Sequence, residues 1–187
     1  MKETTKYVAF LRGINVGGHH KLPMADLKAE MHSLGFTGIE TLLNSGNLIF
    51  SSTEKEESSL EERIAEHLEK TFGFPVPVLV RKGEELLRLF SADPFEGIEV
   101  TPDIRLYISF LKQHPQQLEL PWVSDDGSFR IIHMDDRTVC SVLDLSKSGS
   151  TKGMDSLEKI FGKNLTTRNW NTIEKMAERL KAGVAEE

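Results

Sequence analysis

The segment Arg12-Gly13-Ile14-Asn15-Val16-Gly17-Gly18 sets a five-donor guanidinium and a carboxamide into a backbone loosened by three glycines. Glycine admits φ > 0 and lets the main chain approach a ligand closely, and the arginine fork matches phosphate or carboxylate. No recognisable catalytic or metal signature accompanies the segment, so the chemistry it suggests is capture of an anion. A β-to-α loop that closes no hairpin needs one or two glycines, and this loop has three beside a fork donor, which directs attention to Arg12, Asn15, Gly17 and Gly18.

A second constellation is Thr166-Thr167-Arg168-Asn169-Trp170-Asn171-Thr172. Taken as a helix start, it places hydroxyls where backbone N–H groups lack partners and where the macrodipole favours an anion. Capping alone explains the threonines. Arg168 in a first turn calls for a negative partner, either a ligand or a protein carboxylate, and Asn171 lies beside it. Trp170 either begins an apolar stripe or offers a stacking platform. Asn44-Ser45-Gly46-Asn47 is good hairpin chemistry, and its Asn47 is also a candidate contact. Gly149-Ser150-Thr151-Lys152-Gly153 is expected to be a mobile loop whose Lys147 and Lys152 could close over an anion. Neither glycine string has the spacing of a dinucleotide fingerprint or a P-loop. The candidate ligand-binding set is therefore Arg12, Asn15, Gly17, Gly18, Asn47, Lys152, Arg168 and Asn171.

The remaining reactive side chains carry less. His19-His20 has no Cys or carboxylate at ligand spacing, so no metal is expected, and no cofactor. Asp125-Asp126 and Asp135-Asp136 stand in turn contexts and are expected to form turns. Cys140, the single cysteine, sits between Val139 and Ser141-Val142 in a strand-like alternation and is expected to be a packed thiol.

The elements that must position these residues follow from periodicity. Tyr7 to Leu11 is an apolar strand; Met24, Leu27, Met31 and Leu34 recur at helical spacing between Pro23 and Gly35. Ile39 to Leu43 and Leu48 to Phe50 flank the Asn44 to Asn47 turn. Leu60, Ile64, Leu68 and Phe72 form a helical stripe, with Ser58 or Ser59 and Glu61 or Glu62 as a capping box and Gly73 as the stop. Val76 to Val80 completes the order β-α-β-β-α-β of a ferredoxin-like fold. After a short helix over Gly83 to Phe90, turn chemistry at Asp93 to Gly97 marks a boundary, giving domains 1–92 and 93–187. In the second domain Ile104 to Phe110 alternates as a strand, Phe129 to Met134 and Thr138 to Leu145 form a hairpin, and Leu157 to Phe161 and Trp170 to Leu180 are helical. His114 to Gly127 is too rich in Pro, Gln and Asp for a long helix. The fold class is α+β: tandem ferredoxin-like halves with antiparallel sheets, the second partly degenerate.

A length of 187 residues with 39% hydrophobic content supports a real core. No apolar run approaches the roughly 20 residues that span a bilayer, and Met1 to Thr5 lacks a signal-peptide core, so a cytoplasmic protein with no membrane partner is expected. A net charge of −6 argues against duplex DNA, whose binding needs many cationic contacts. The charge is uneven: residues 53–73 hold seven acidic and three basic side chains, residues 146–181 four and eight.

Taken together, Leu11 to Gly18, Asn44 to Asn47 and Thr166 to Thr172 resemble the bacterial family called domain of unknown function 1697, over nearly the whole chain. The resemblance implies a cytosolic protein of two ferredoxin-like halves with no settled activity, and it carries no catalytic residue. The function expected is binding of a small anionic, phosphate-bearing ligand at a cleft between the halves. The alternatives are an RNA-binding module of the type that stacks bases on strand aromatics, an enzyme of group transfer or hydrolysis in which Arg12 and Arg168 stabilise negative charge, and a pure interaction module. Leu48-Ile49-Phe50 shows none of the RNA-recognition pattern on the third strand. Ser45 and Thr167 are only nominal nucleophiles.

Overall fold

The strand β1 (Thr5–Leu11) is a continuous apolar run, and it is buried on both faces: Tyr7, Ala9 and Leu11 on one, Val8 and Phe10 on the other. Such a run belongs in the middle of a sheet. The computed structural model describes residues 3–184, so residues 1 and 2 of the polar start and 185–187 of the expected second domain lie outside the described residues. Within it the chain divides into two compact units, one of residues 1–88 and 176–187, the other of residues 89–175.

In the first unit β1 is followed by α1 (Met24–Ser33), β2 (Thr37–Leu42), β3 (Asn47–Ser52), α2 (Glu57–Phe72) and β4 (Val78–Lys82). The sheet order is β2-β3-β1-β4 with every pair antiparallel, the ferredoxin-like arrangement. Leu27 and Met31 of α1 and Leu60, Ile64 and Leu68 of α2 pack with Tyr7, Ala9, Leu11, Leu48 and Phe50. Each such side chain removed from water contributes about 1.5–3 kcal/mol, which is why the stripes read so clearly in the sequence.

The capping box expected at Ser58 or Ser59 does not form. The helix begins at Glu57 behind Glu56, which makes no side-chain cap, because the α2 carboxylates are used across the helix–sheet junction instead. Glu61 Oε1 accepts the N–H of Val80 at 2.9 Å and Glu57 Oε1 that of Lys82 at 3.0 Å. Those N–H groups point away from β1, on the outer side of the last strand. Glu61 also faces Arg81 Nη1 at 3.7 Å, both side chains only 4% exposed, and Arg81 Nη1 donates to the Val80 carbonyl at 2.7 Å. On the opposite border, β2 carries a bulge between Thr37 and Glu40 with Gly38 at φ 58°.

The chain passes to the second unit within α3 (Gly83–Ala92). There β5 (Ile104–Leu111), β6 (Trp122–Val123), β7 (Phe129–Asp135), β8 (Thr138–Asp144), α4 (Leu145–Ser148), a 3₁₀ turn (Thr151–Met154), α5 (Asp155–Phe161) and β9 (Leu165–Asn169) precede α6 (Trp170–Val184). The sheet order is β6-β7-β8-β5-β9, again antiparallel throughout. Without β6, this is the order of the first sheet. The first helix of the pattern is absent here among the described residues. Pro115 and Pro121 deny the intervening stretch helical hydrogen bonds, and the only regular element in it is the two-residue β6. The core is built from Leu111, Phe129, Ile131, Val139, Leu143, Leu157 and Leu165.

Two local expectations are corrected. Thr166, Thr167 and Arg168 do not cap a helix: they are strand residues paired with Phe110, Ser109 and Ile108 of β5, and Ser109 Oγ lies 2.7 Å from Thr167 Oγ1. Sheet pairing satisfies backbone groups that a cap would leave to side chains. The stretch at Gly149 to Gly153 is not an irregular loop but the end of α4 followed by the 3₁₀ turn, capped by Ser150. An added Cβ on Gly153 would stand 2.8 Å from Leu143 Cδ1, so the glycine is there to let the turn approach the sheet. Cys140 is buried on β8, where desolvation pushes its thiol up to about 12. It is a packed, unreactive thiol.

Candidate functional site

At the end of the first sheet where β1 finishes, three segments converge. Leu11 N–H bonds the Gly46 carbonyl at 2.8 Å, and Arg12 N–H bonds that of Pro77 at 2.9 Å. The glycine-rich loop and the Asn44 to Asn47 turn, far apart in sequence, are thus neighbours. Gly46 has φ 80°, and a Cβ there would lie 2.7 Å from Leu11 Cβ and 2.8 Å from Ile14 Cδ1. Only glycine fits.

The loop does not behave as a hairpin-free connection. Asn15 N–H bonds the His20 carbonyl at 3.1 Å and His19 N–H that of Val16 at 3.0 Å, making a miniature hairpin with Gly17 (φ 59°) and Gly18 (φ 78°) at its tip. Two consecutive positive φ values are what a tight two-residue turn requires, so turn geometry accounts for those glycines. This finger is held by Asn15. Its amide donates to the carbonyls of Leu22 at 2.9 Å and Asn44 at 2.8 Å and accepts from Leu22 N–H at 2.8 Å. His20 stacks on Phe74, centroids 4.5 Å apart and 11° from parallel. Asn15, His20 and Leu43 all sit at positive φ (54°, 49°, 59°), an uncommon conformation for residues with a Cβ. Asn47 is fully buried and donates to the Leu42 carbonyl and to Ser45 Oγ, both at 2.9 Å, bracing the turn from inside.

The structure therefore brings Arg12, Asn15, Gly17, Gly18 and Asn47 to one end of one unit. The sequence reading omitted His19, His20 and Lys21 from this set. The signal that finds them is absence of the opposite charge: residues 12–24, 43–47 and 73–77 include no carboxylate in a chain with 29. That signal emerges only once the three segments are known to meet. Val16 at the finger's tip is 68% exposed and Leu43 50%. The Gly17 and Gly18 N–H groups face no partner among the described residues.

Lys152, Arg168 and Asn171 belong to the second unit, on three different elements. Lys152 is exposed in the 3₁₀ turn, its N–H bonded to Ser150 Oγ at 3.4 Å. Arg168 is buried in β9, where Nη1 donates to Thr166 Oγ1 at 2.7 Å and to the Thr167 carbonyl at 3.0 Å, and desolvation lowers its guanidinium to about 10. Asn171 is exposed in the first turn of α6. Trp170 is 7% exposed, edge-on to Phe95 at 5.3 Å and stacked with Phe90 at 6.2 Å. Its ring faces are taken up by packing.

The RNA and enzyme alternatives meet specific geometry. Tyr7, Phe10 and Phe50, the strand aromatics of the first sheet, have no exposed surface on which a base could stack. One cluster missed in the sequence, Ser33, His67 and Glu30 between α1 and α2, has the residue types of a nucleophile relay. Both Ser33 Oγ (3.2 Å) and Glu30 Oε2 (2.6 Å) approach the same nitrogen, His67 Nε2. A relay needs hydroxyl and carboxylate on opposite ring nitrogens, so this cluster is a histidine–carboxylate contact with an attached hydroxyl and no relay. No group of three or more His, Cys, Asp or Glu is placed to hold a metal ion among the described residues. No described helix is long and apolar enough to cross a membrane.

Residues 4–129 match the family model described as protein of unknown function (DUF1697). No curated protein matches the chain. Among solved structures it is similar to the conserved bacterial protein SP0830 from Streptococcus pneumoniae, with 21% identity, a TM-score of 0.71, and coverage of 95% of this chain and 99% of that one. At that identity the likeness speaks to the fold alone.

Proposed function

The chain belongs to the DUF1697 family, and we infer that this member binds a small anionic, phosphate-bearing ligand at the finger end of its first unit. The observation that carries this reading is the local composition: Arg12 and Lys21 stand with His19 and His20 in one segment, two further segments converge on it, and none of the three contributes a carboxylate, on a chain whose net charge is −6. Basic side chains on segments that supply no carboxylate of their own favour anions on an otherwise acidic protein. The tip amides of Gly17 and Gly18 add uncharged donors to the same finger. Asn15 and Asn47, whose amides are engaged inside the finger and the turn, shape the surface.

Thermal unfolding with inorganic phosphate, pyrophosphate and a panel of nucleotides and sugar phosphates at low ionic strength tests this. A ligand at 100 times its dissociation constant stabilises by about 2.7 kcal/mol, or roughly 5–11 °C for a chain of this size. The expected result is such a shift in the wild type that shrinks in Arg12→Ala and Lys21→Ala. No shift across the panel, or an equal shift in both variants, overturns the reading.

A further inference from the structure

The backbone that frames the finger end recurs in the second unit. Leu111, closing β5, donates its N–H to the Arg137 carbonyl of the β7–β8 turn at 2.8 Å, as Leu11 does to Gly46. Lys112 donates to the Asn164 carbonyl ahead of β9 at 3.0 Å, as Arg12 does to Pro77. The two units share this frame and differ in what stands upon it. In the first, the finger fills it and Ile14 is pressed to 3% exposure. In the second, no finger forms and a cleft of about 320 Å³ remains, walled by the loop after β5 and the loop after α5.

We propose that this cleft is a second binding site, for a planar nitrogen heterocycle of nucleobase type. Ile160 and Phe161, both partly exposed, give it an apolar lining beside the buried Leu111, against which a flat ring gains by desolvation. Gln113, Gln116 and Asn164, residues with carboxamide side chains, also line the cleft. Each presents a donor and an acceptor side by side, the pattern that pairs with the edge of a base. His114 lines it as well. Its Nδ1 lies 2.7 Å from Asp136 Oδ1, a contact that holds the ring at the mouth of the cleft. The walls are tied by the Lys112 to Asn164 bond, so the frame exists before a ligand arrives. The volume is at the small end of ligand sites, which suits a base or nucleoside and not a larger cofactor.

The test is a titration of the ¹⁵N-labelled full chain with adenosine, cytidine and uridine, with inorganic phosphate and acetate as simple anions, followed by amide chemical shifts. Saturable shifts confined to residues 111–116 and 160–164 with at least one nucleoside are expected. Gln113→Ala and Asn164→Ala, both at exposed positions, should each weaken that binding about tenfold, the worth of one lost hydrogen bond. Shifts at residues 12–21 report the other site, and Arg12→Ala should leave the cleft unaffected, so the two readings fail independently. No shift with any nucleoside, the same cleft shifts with phosphate or acetate, or wild-type affinity in both amide variants overturns the proposal.

Discussion

Two units of one chain finish their first strands on the same pair of backbone hydrogen bonds and then diverge. The first closes itself: a finger held by Asn15 fills the frame, α1 and α2 cover the sheet, and α2 carboxylates reach round to β4. The second leaves its frame open, lacks the first helix, and covers its sheet with the seven-residue α5 and the turns before it. The difference teaches that the pattern of strands is what this topology needs, while helices and loops are free to become either packing or site. Closure by side chains concentrates stability in a few positions; an open frame leaves room for a ligand.

Substitutions at those closing positions should break the comparison in order of size. Glu61→Ala removes a buried carboxylate that faces Arg81 and accepts the Val80 N–H, and should cost about 3–5 kcal/mol in urea unfolding. Glu61→Gln, which keeps an acceptor, should lose less. A loss below about 1 kcal/mol would mean that the first unit does not depend on this contact. The glycines sharpen the contrast next. Gly46→Ala meets both a left-handed φ and a collision with Leu11 and Ile14, for about 2–4 kcal/mol. Gly153→Ala in the second unit meets only crowding against Leu143 and Phe129, for about 1–3 kcal/mol. Equal losses would show that backbone strain in the first unit's turn counts for little.

The smallest effect is a pH signature in the second unit. Asp126 accepts from the Ser124 hydroxyl, the Ser128 N–H and the Ser128 hydroxyl at 2.7, 3.0 and 2.8 Å. The Ser124 bond first, then those from Ser128, lower its carboxyl from 3.8 to about 2. A group depressed in the folded state stabilises above its unfolded value and loses that contribution as the pH falls through the folded one. Wild type should therefore lose stability between pH about 4 and about 2 that Asp126→Asn does not lose. Parallel pH profiles of melting temperature for the two proteins would remove Asp126 as the cause.

Most elements were legible because their burial has a period. The α2 stripe is set by one face meeting one core and stands where expected, and β5 also stands where its alternation puts it, although Ile108 to Leu111 are buried on both faces. β9 was not legible: Leu165–Asn169 is short and mostly polar, and what makes it a strand is pairing with β5, more than fifty residues away in sequence. The roles of Glu57 and Glu61 were hidden for the same reason, since a glutamate in a first helical turn looks like a cap until the strand beside it is known. Arg12 and the glycines drew attention as types, but their meeting with Asn44 to Asn47 is a property of register. The cleft of the second unit left no motif at all, because it is defined by a helix and a finger that are not there.

The glutamates along β4 have one more consequence. A strand at the border of a sheet offers a row of donors and acceptors that an identical chain could extend, copy upon copy. Here the donors of Val80 and Lys82 are already answered from within by Glu61 and Glu57, and an arriving strand would find negative charge where it needs carbonyl oxygen. At the other border the Gly38 bulge bends β2 out of the flat line that a template requires. The first sheet is thereby finished at four strands, and the chain carries its own guard against polymerising through that sheet.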